Sequence, residues 1–258
     1  MIELLVVIAI IALLMAIMMP ALNRVKNQAR SVMCQGRLRE WSLLHKLYTD
    51  DNNGYFYRGW DIGETALWMN AMRPYYKDNW NMLLCPTATR VMESSADWGT
   101  FKAAWRDVDL PGGGEYRYVF SYSENSWINY MHQDRGDRKK EWFWKSVQDV
   151  KGANNIPVFG DATWHDAWPR HTDTPAEYPD AFGIGDRGTT GEINHFCINR
   201  HNGFVNLLFM DWSARHVGLK ENWTLKWHRA FDVNGPYTKA GGMLPSDWPA
   251  WLRPFKDY

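Results

Sequence analysis

His201, Asp211, Asp161 and His216 are the residues of the C-terminal part whose types could do chemistry. Imidazoles and carboxylates on neighbouring strands can hold a metal or move a proton. His201 and Asp211 stand nine residues apart in Arg200-His201-Asn202-Gly203-Phe204-Val205-Asn206-Leu207-Leu208-Phe209-Met210-Asp211-Trp212, flanking a stretch that reads as a strand. A strand-flanking histidine and a turn aspartate equally suit a structural hydrogen bond that pins a hairpin. We take His201 and Asp211 as such a structural polar pair, because no nucleophile, base and orienter occur as a set. A Gly-rich phosphate loop, His-Glu-x-x-His and Gly-x-Ser-x-Gly are all absent, so the reading is non-enzymatic. Hard oxygen ligands crowd Asp50-Asp51-Asn52-Asn53 and punctuate a long loop at Asp180, Asp186 and Glu192. Neither set has the spacing of an EF-hand, and Asx-rich turns are usually plain turns; the 180–192 loop is the better calcium candidate. Cys34, Cys85 and Cys197 allow three single pairings or three buried thiols. No Cys-x-x-Cys spacing marks a metal site.

The elements that must position these groups begin with the first twenty-two residues, MIELLVVIAIIALLMAIMMPAL. From Leu4 to Met19 every residue is apolar, and Glu3 is the only charge in the run. A helix of this length spans roughly 30 Å, a bilayer core. A carboxylate at its edge is costly in lipid unless an opposite charge meets it. Pro20 lacks an N–H, so the helix should bend or open locally there. Beyond it the chain turns polar but stays helical, and Cys34, Leu38, Trp41, His45 and Tyr48 form an inward seam at spacings of four and three. Asp50-Asp51-Asn52-Asn53-Gly54 ends the helix. Residues 1–23 thus read as an apolar transmembrane or filament-core helix, 24–50 as its amphipathic continuation, and 51–258 as a head. Leu67 to Tyr76 reads as short helix, 118–122 and 156–161 as strands, and Val205–Met210 with Arg215–Leu219 as a hairpin. Segments 99–116 and 163–192 read as loops, Asn222–Phe231 as a short amphipathic helix, and 235–258 as a tail wrapping the surface. The fold class is α+β: one long helix packed on a head with a small antiparallel sheet and aromatic-rich loops.

Composition narrows function by exclusion. The chain has 258 residues with 29 basic and 29 acidic side chains, so nothing argues for nucleic acid. Its 16 Trp, 12 Tyr and 11 Phe are more than one groove could use, and we assign them chiefly to core and subunit interfaces.

Ile2-Glu3-Leu4-Leu5-Val6-Val7-Ile8-Ala9-Ile10-Ile11-Ala12 resembles the prepilin-type processing and methylation segment of type IV pilins and type II secretion pseudopilins. That segment usually reads Phe-Thr-Leu-Ile-Glu; here Met1 stands where Leu is usual. Tyr48-Thr49-Asp50-Asp51-Asn52-Asn53-Gly54, Leu84-Cys85-Pro86 and the His201–Asp211 spacing resemble further stations of pseudopilin-like proteins with a His-x9-Asp-Gly C-terminal domain. In the family the turn is Asp-Gly. Trp212 replaces that Gly and resists positive φ, so a longer or different turn is expected at Asp211-Trp212-Ser213-Ala214. The resemblance implies cleavage by a prepilin peptidase, a Cys34–Cys85 disulfide, and pairing of Glu3 with the N-terminal amine of a neighbouring subunit. It implies an inner-membrane anchor before assembly, then, with the assembly machinery, a homopolymeric pilus-like or pseudopilus filament outside the membrane, with adhesion among its roles. No cofactor is required on this reading, and calcium is the one candidate. An alternative of another class is a membrane-anchored or filament-tip protein that binds carbohydrate through an aromatic head.

Overall fold

A computed structural model describes residues 2–63, 66–77, 79–92, 99–107, 118–148, 150–179 and 191–258, without the side chains of residues 2, 3, 5, 107 and 118. The Glu3 side chain, Asp180 and Asp186 therefore lie outside what is described. One helix, α1 (Ile2–Asp51), runs straight into the head. Helical assignment passes through Pro20 without interruption, so the local opening expected there is not present in the single subunit. Proline removes one backbone bond, and the turns on either side still close. The helix ends as Asn53 takes a left-handed conformation (φ 54°), followed by Gly54 at φ 81°. The Gly54 N–H then closes on the Thr49 carbonyl at 2.7 Å, a reach typical of a helix C-terminus.

The seam of α1 faces the head as the spacing predicts. Cys34, Leu38, Trp41 and His45 are buried and Tyr48 is half-buried, whereas Val32, Met33, Leu43 and Leu47 on the other faces are exposed. They pack on a five-stranded sheet of β4 (Tyr122–Asn125), β5 (Pro157–Asp161), β6 (Asp166–Ala167), β7 (Phe204–Phe209) and β8 (Ala214–Gly218), in the order β6-β4-β5-β7-β8. All pairs are antiparallel except β4–β6. A smaller sheet joins β1 (Arg90–Val91), β2 (Ala103–Asp107) and β3 (Tyr118–Phe120). Two one-turn helices, α2 (Trp68–Ala71) and α3 (Arg73–Tyr76), cover the helix–sheet seam. The centre is aromatic: Trp41 lies 5.0 Å from Phe159 and 5.5 Å from Trp68, ring centre to ring centre.

Three local expectations are corrected. Ala103–Asp107 is a strand inside a segment read as loop, because Ala103, Ala104 and Trp105 are buried and Trp105 pairs with Phe120. The segment expected to be helical at 222–231 has only a short 3-10 turn, Lys220–Thr224. Beyond it Leu225 and Trp227 are buried on either side of half-buried Lys226, the period of extended chain. Trp212 does take positive φ, 68°. The β7–β8 loop is longer than a two-residue turn, as expected, and places Trp212 where a Gly commonly sits. Its half-buried ring, 6.5 Å from both His45 and Phe56, offsets a strain of roughly 1–2 kcal/mol.

The C-terminal tail wraps the head as read. Trp248 and Leu252 are buried, and Lys220 Nζ meets Asp257 Oδ1 at 2.6 Å.

Candidate functional site

The first candidate surface is the front of α1. Leu4, Val6 to Ile8, Ile10, Ile11, Leu13 to Met15, Ile17 to Met19 and Leu22 are all exposed, with nothing from the head over them. The apolar window is long enough to cross a membrane by length and composition. It is far more contiguous apolar surface than a soluble monomer leaves open.

The second lies where the same helix meets the sheet. Gly160 lets β5 approach β7 closely, since a Cβ there would stand 2.7 Å from the Asn206 carbonyl oxygen. That close approach brings Asp161, at the end of β5, against β7, whose Asn206 N–H donates to Asp161 Oδ2 at 3.2 Å. His201 comes from the turn before β7, where Asn202 and Gly203 adopt φ 55° and 92°. Its Nε2 lies 2.9 Å from Asp161 Oδ2 and 3.5 Å from Cys85 Sγ. Cys34, one turn ahead of Leu38 on the seam, donates its S–H to Asp161 Oδ2 at 3.2 Å and accepts from the Tyr122 hydroxyl at 3.3 Å. Arg200 reaches Asp161 Oδ1 at 3.5 Å, the Thr100 carbonyl at 3.0 Å, and the Ser121 carbonyl.

Charge follows from this packing. Burial alone would raise the Asp161 carboxyl, but the His201 and Arg200 charges hold it at about 2. Burial would lower His201, but the Asp161 charge and hydrogen bond lift it to about 10. Burial pushes the Cys34 thiol up. Cys85 moves down to about 6 against its own burial, through hydrogen bonds to Cys34 and His201.

A thiol, an imidazole and a carboxylate in contact could suggest nucleophilic catalysis, but the geometry does not support it. Cys85 and Asp161 both meet Nε2 of His201, whereas a nucleophile and an orienting carboxylate would meet opposite ring nitrogens. All four side chains are also buried. What the node does is fasten α1 to the sheet. A cleft of about 640 Å³ leads in from outside, lined by Arg24, Gln28, Ser31, His201, Phe204 and His216 among others.

His201 and Asp211 are not paired. The β7 strand holds them at its opposite ends, and each residue of extended chain adds about 3.3 Å. His201 turns inward to Asp161, and Asp211 is exposed and accepts from the Ser213 N–H at 3.0 Å and its hydroxyl at 2.6 Å. His216 lines the cleft without joining the node. Cys34 and Cys85 are brought together as the disulfide expectation requires, yet both are free thiols. Cys197 is buried elsewhere, 3.6 Å from the Leu219 carbonyl. Glu192, the described member of the calcium set, already accepts from Arg138 at 3.2 Å and from the Trp168 N–H at 3.1 Å. The turn at 50–53 is likewise engaged, Asp50 with Lys46 and Asp51 with Tyr75. No described tryptophan is exposed.

Sequence reasoning treated Asp161 only as one member of a loose set and gave Arg200, Asn206 and Tyr122 no role. The available signal was Cys34 on the inward seam together with Cys85 ahead of Pro86, two thiols pointing at one core.

No family model matches this chain, and no curated protein or solved structure matches it either. Its architecture, a long N-terminal apolar helix leading into a β-rich C-terminal head, is pilin-like.

Proposed function

We propose that the chain is a structural subunit of a pilus-like or pseudopilus filament, held in a membrane by α1 before assembly. One observation carries the reading: the exposed apolar front of α1 continues, as a single helix, into a rear half locked in the head core. Such a helix can exchange lipid for the same helices of other subunits while the head stays rigidly attached. A head-to-tail contact that does not close then propagates as a helix. In this arrangement Glu3 meets a neighbour's N-terminal amine and sets the axial stagger, since a carboxylate in an apolar bundle needs an opposite charge. The carbohydrate-binding alternative needs a solvent-facing Trp row, and the described tryptophans are buried or half-buried instead.

Glu3→Leu tests the assembly reading. Electron microscopy of the variant expressed beside wild type should show membrane-inserted protein and no filaments. Normal filaments from Glu3→Leu would overturn the charge-pairing step, and wild-type protein that never polymerises would overturn the filament reading itself.

A further inference from the structure

Cys34, Cys85, Asp161 and His201 come from four separate places in the fold: α1, the Leu84–Pro86 segment, the end of β5 and the turn before β7. Their ligand atoms nonetheless all lie within 4.8 Å of one another, and all four residues are buried. Zinc bonds to sulfur, nitrogen and oxygen of about 2.0–2.3 Å imply tetrahedron edges of roughly 3.3–3.8 Å. The Cys85 Sγ–His201 Nε2 and Cys34 Sγ–Asp161 Oδ2 separations are 3.5 and 3.2 Å, and His201 Nε2–Asp161 Oδ2 is 2.9 Å. Small side-chain movements outward from a common centre would make these the edges of one coordination shell. We propose that this node is a structural Zn²⁺ site, with Cys34, Cys85, Asp161 and His201 as its four ligands.

The donor set selects the metal. Two thiolates, one imidazole and one carboxylate suit Zn²⁺, and a hard cation such as Ca²⁺ would refuse the sulfurs. Four protein ligands in a closed, buried shell mark a structural ion, because a catalytic one keeps an open position. Charge also balances. Two thiolates and Asp161 carry three negative charges, which Zn²⁺ and the buried Arg200 neutralise. Each thiol and the imidazolium surrenders a proton to solvent as the ion enters. Partners around the ligands are in place: the Tyr122 hydroxyl on Cys34 Sγ, the Asn206 N–H on Asp161 Oδ2 and Arg200 on Asp161 Oδ1. The ion would staple the assembly helix to the head at the point where the exposed half of α1 ends. This inference stands on the node alone and is independent of the filament reading.

Full-length protein, purified in detergent with zinc in the growth medium, tests it. Metal analysis should find about one zinc per chain. Cys34 and Cys85 should resist alkylation until a strong chelator is added, as peptide mapping would show. Exchange with Co²⁺ should give the visible bands of a tetrahedral site together with thiolate-to-cobalt charge transfer. Cys197→Ser should keep the metal, whereas Cys34→Ser and Cys85→Ser should weaken binding more than about tenfold. Because those cysteine variants could misfold, the cobalt spectrum of the wild-type chain is decisive. A spectrum without thiolate ligation, a reduced chain that takes up no metal, or a Cys34–Cys85 disulfide in the native material would each overturn the site.

Discussion

Glu124 shows how one residue can tie stability to pH. It sits fully buried on β4, accepting from the Ser126 hydroxyl at 2.8 Å and Asn129 Nδ2 at 3.2 Å, with Asp166 and Tyr57 beside it. Burial first, and the Asp166 charge second, raise its carboxyl to about 7, against the pull of the Ser126 and Asn129 hydrogen bonds. A carboxyl raised on folding contributes stability that is complete below its unfolded pKa and is lost as pH rises through the folded one. For Glu124 that window runs from about 4.5 to about 7 and involves roughly 3 kcal/mol. Glu124→Gln keeps the shape and removes the charge. Urea denaturation across that window should therefore show wild type losing stability relative to the variant as pH rises. Asp173 and Glu192, each raised by burial to about 6, titrate in the same direction, and His45, His195 and His228, lowered by burial, titrate in the opposite one; all are common to both proteins, so they cancel in the difference between wild type and variant. A constant gap between the two proteins would remove Glu124 from the account. The residue scale is also where the sequence is hardest to read. Nothing in the one-dimensional string distinguishes Asp161, which is bonded on both oxygens inside the core, from Asp211, which serves an exposed turn. The nine-residue spacing singled out the wrong aspartate because β7 separates what the spacing suggested it joined.

At the scale of elements, α1 was legible because its periodicity and its partners agree. The four-and-three seam names Cys34, Leu38, Trp41 and His45, and those are the residues the head covers. The β7–β8 hairpin was legible for the same reason, an apolar run and an alternating partner with a turn between them. The small sheet was not: β2 lies among Gly-, Asp- and Pro-containing neighbours that outweigh five residues of strand. Nor was the change from turn to extended chain at Thr224, since the residues of Trp223-Thr224-Leu225-Lys226-Trp227 fit either period until a sheet and a tail decide between them. Trp41 is the natural test of the seam. It is fully buried, contacts Trp68, Tyr76 and Phe159, and donates its indole N–H to the Met82 carbonyl at 2.8 Å. Trp41→Ala should cost the head about 3–5 kcal/mol in chemical denaturation, from lost burial and the cavity left behind. Leu43→Ala, two residues on and exposed, should stay within about 0.5 kcal/mol. Equal costs for the two would mean that α1 is not docked through this face.

For the whole molecule, the two halves of α1 belong to different environments although no break separates them. Leu4 and residues 6–24 present apolar or polar surface that the head leaves uncovered, while from Ser31 onward α1 contributes residues to the core. A chain cut at the helix midpoint and one cut at the helix end should therefore behave in opposite ways. Residues 24–258 lose the apolar front but keep Cys34, Leu38, Trp41 and His45. That fragment should be a soluble monomer by size-exclusion chromatography, with a near-ultraviolet circular dichroism spectrum of immobilised aromatics. Residues 52–258 would expose Phe159, Trp68 and Tyr122, which α1 otherwise covers or touches, and should aggregate or lose that spectrum. The full chain should need detergent or a bilayer, because the exposed run from Val6 to Leu22 has no cover within the subunit. Were 52–258 to fold as well as 24–258, α1 would be a detachable anchor, and the head could not transmit position along a bundle of such helices. Were only the longer fragment to fold, helix and head would form one rigid body, the property that a filament subunit built on its N-terminal helix must have.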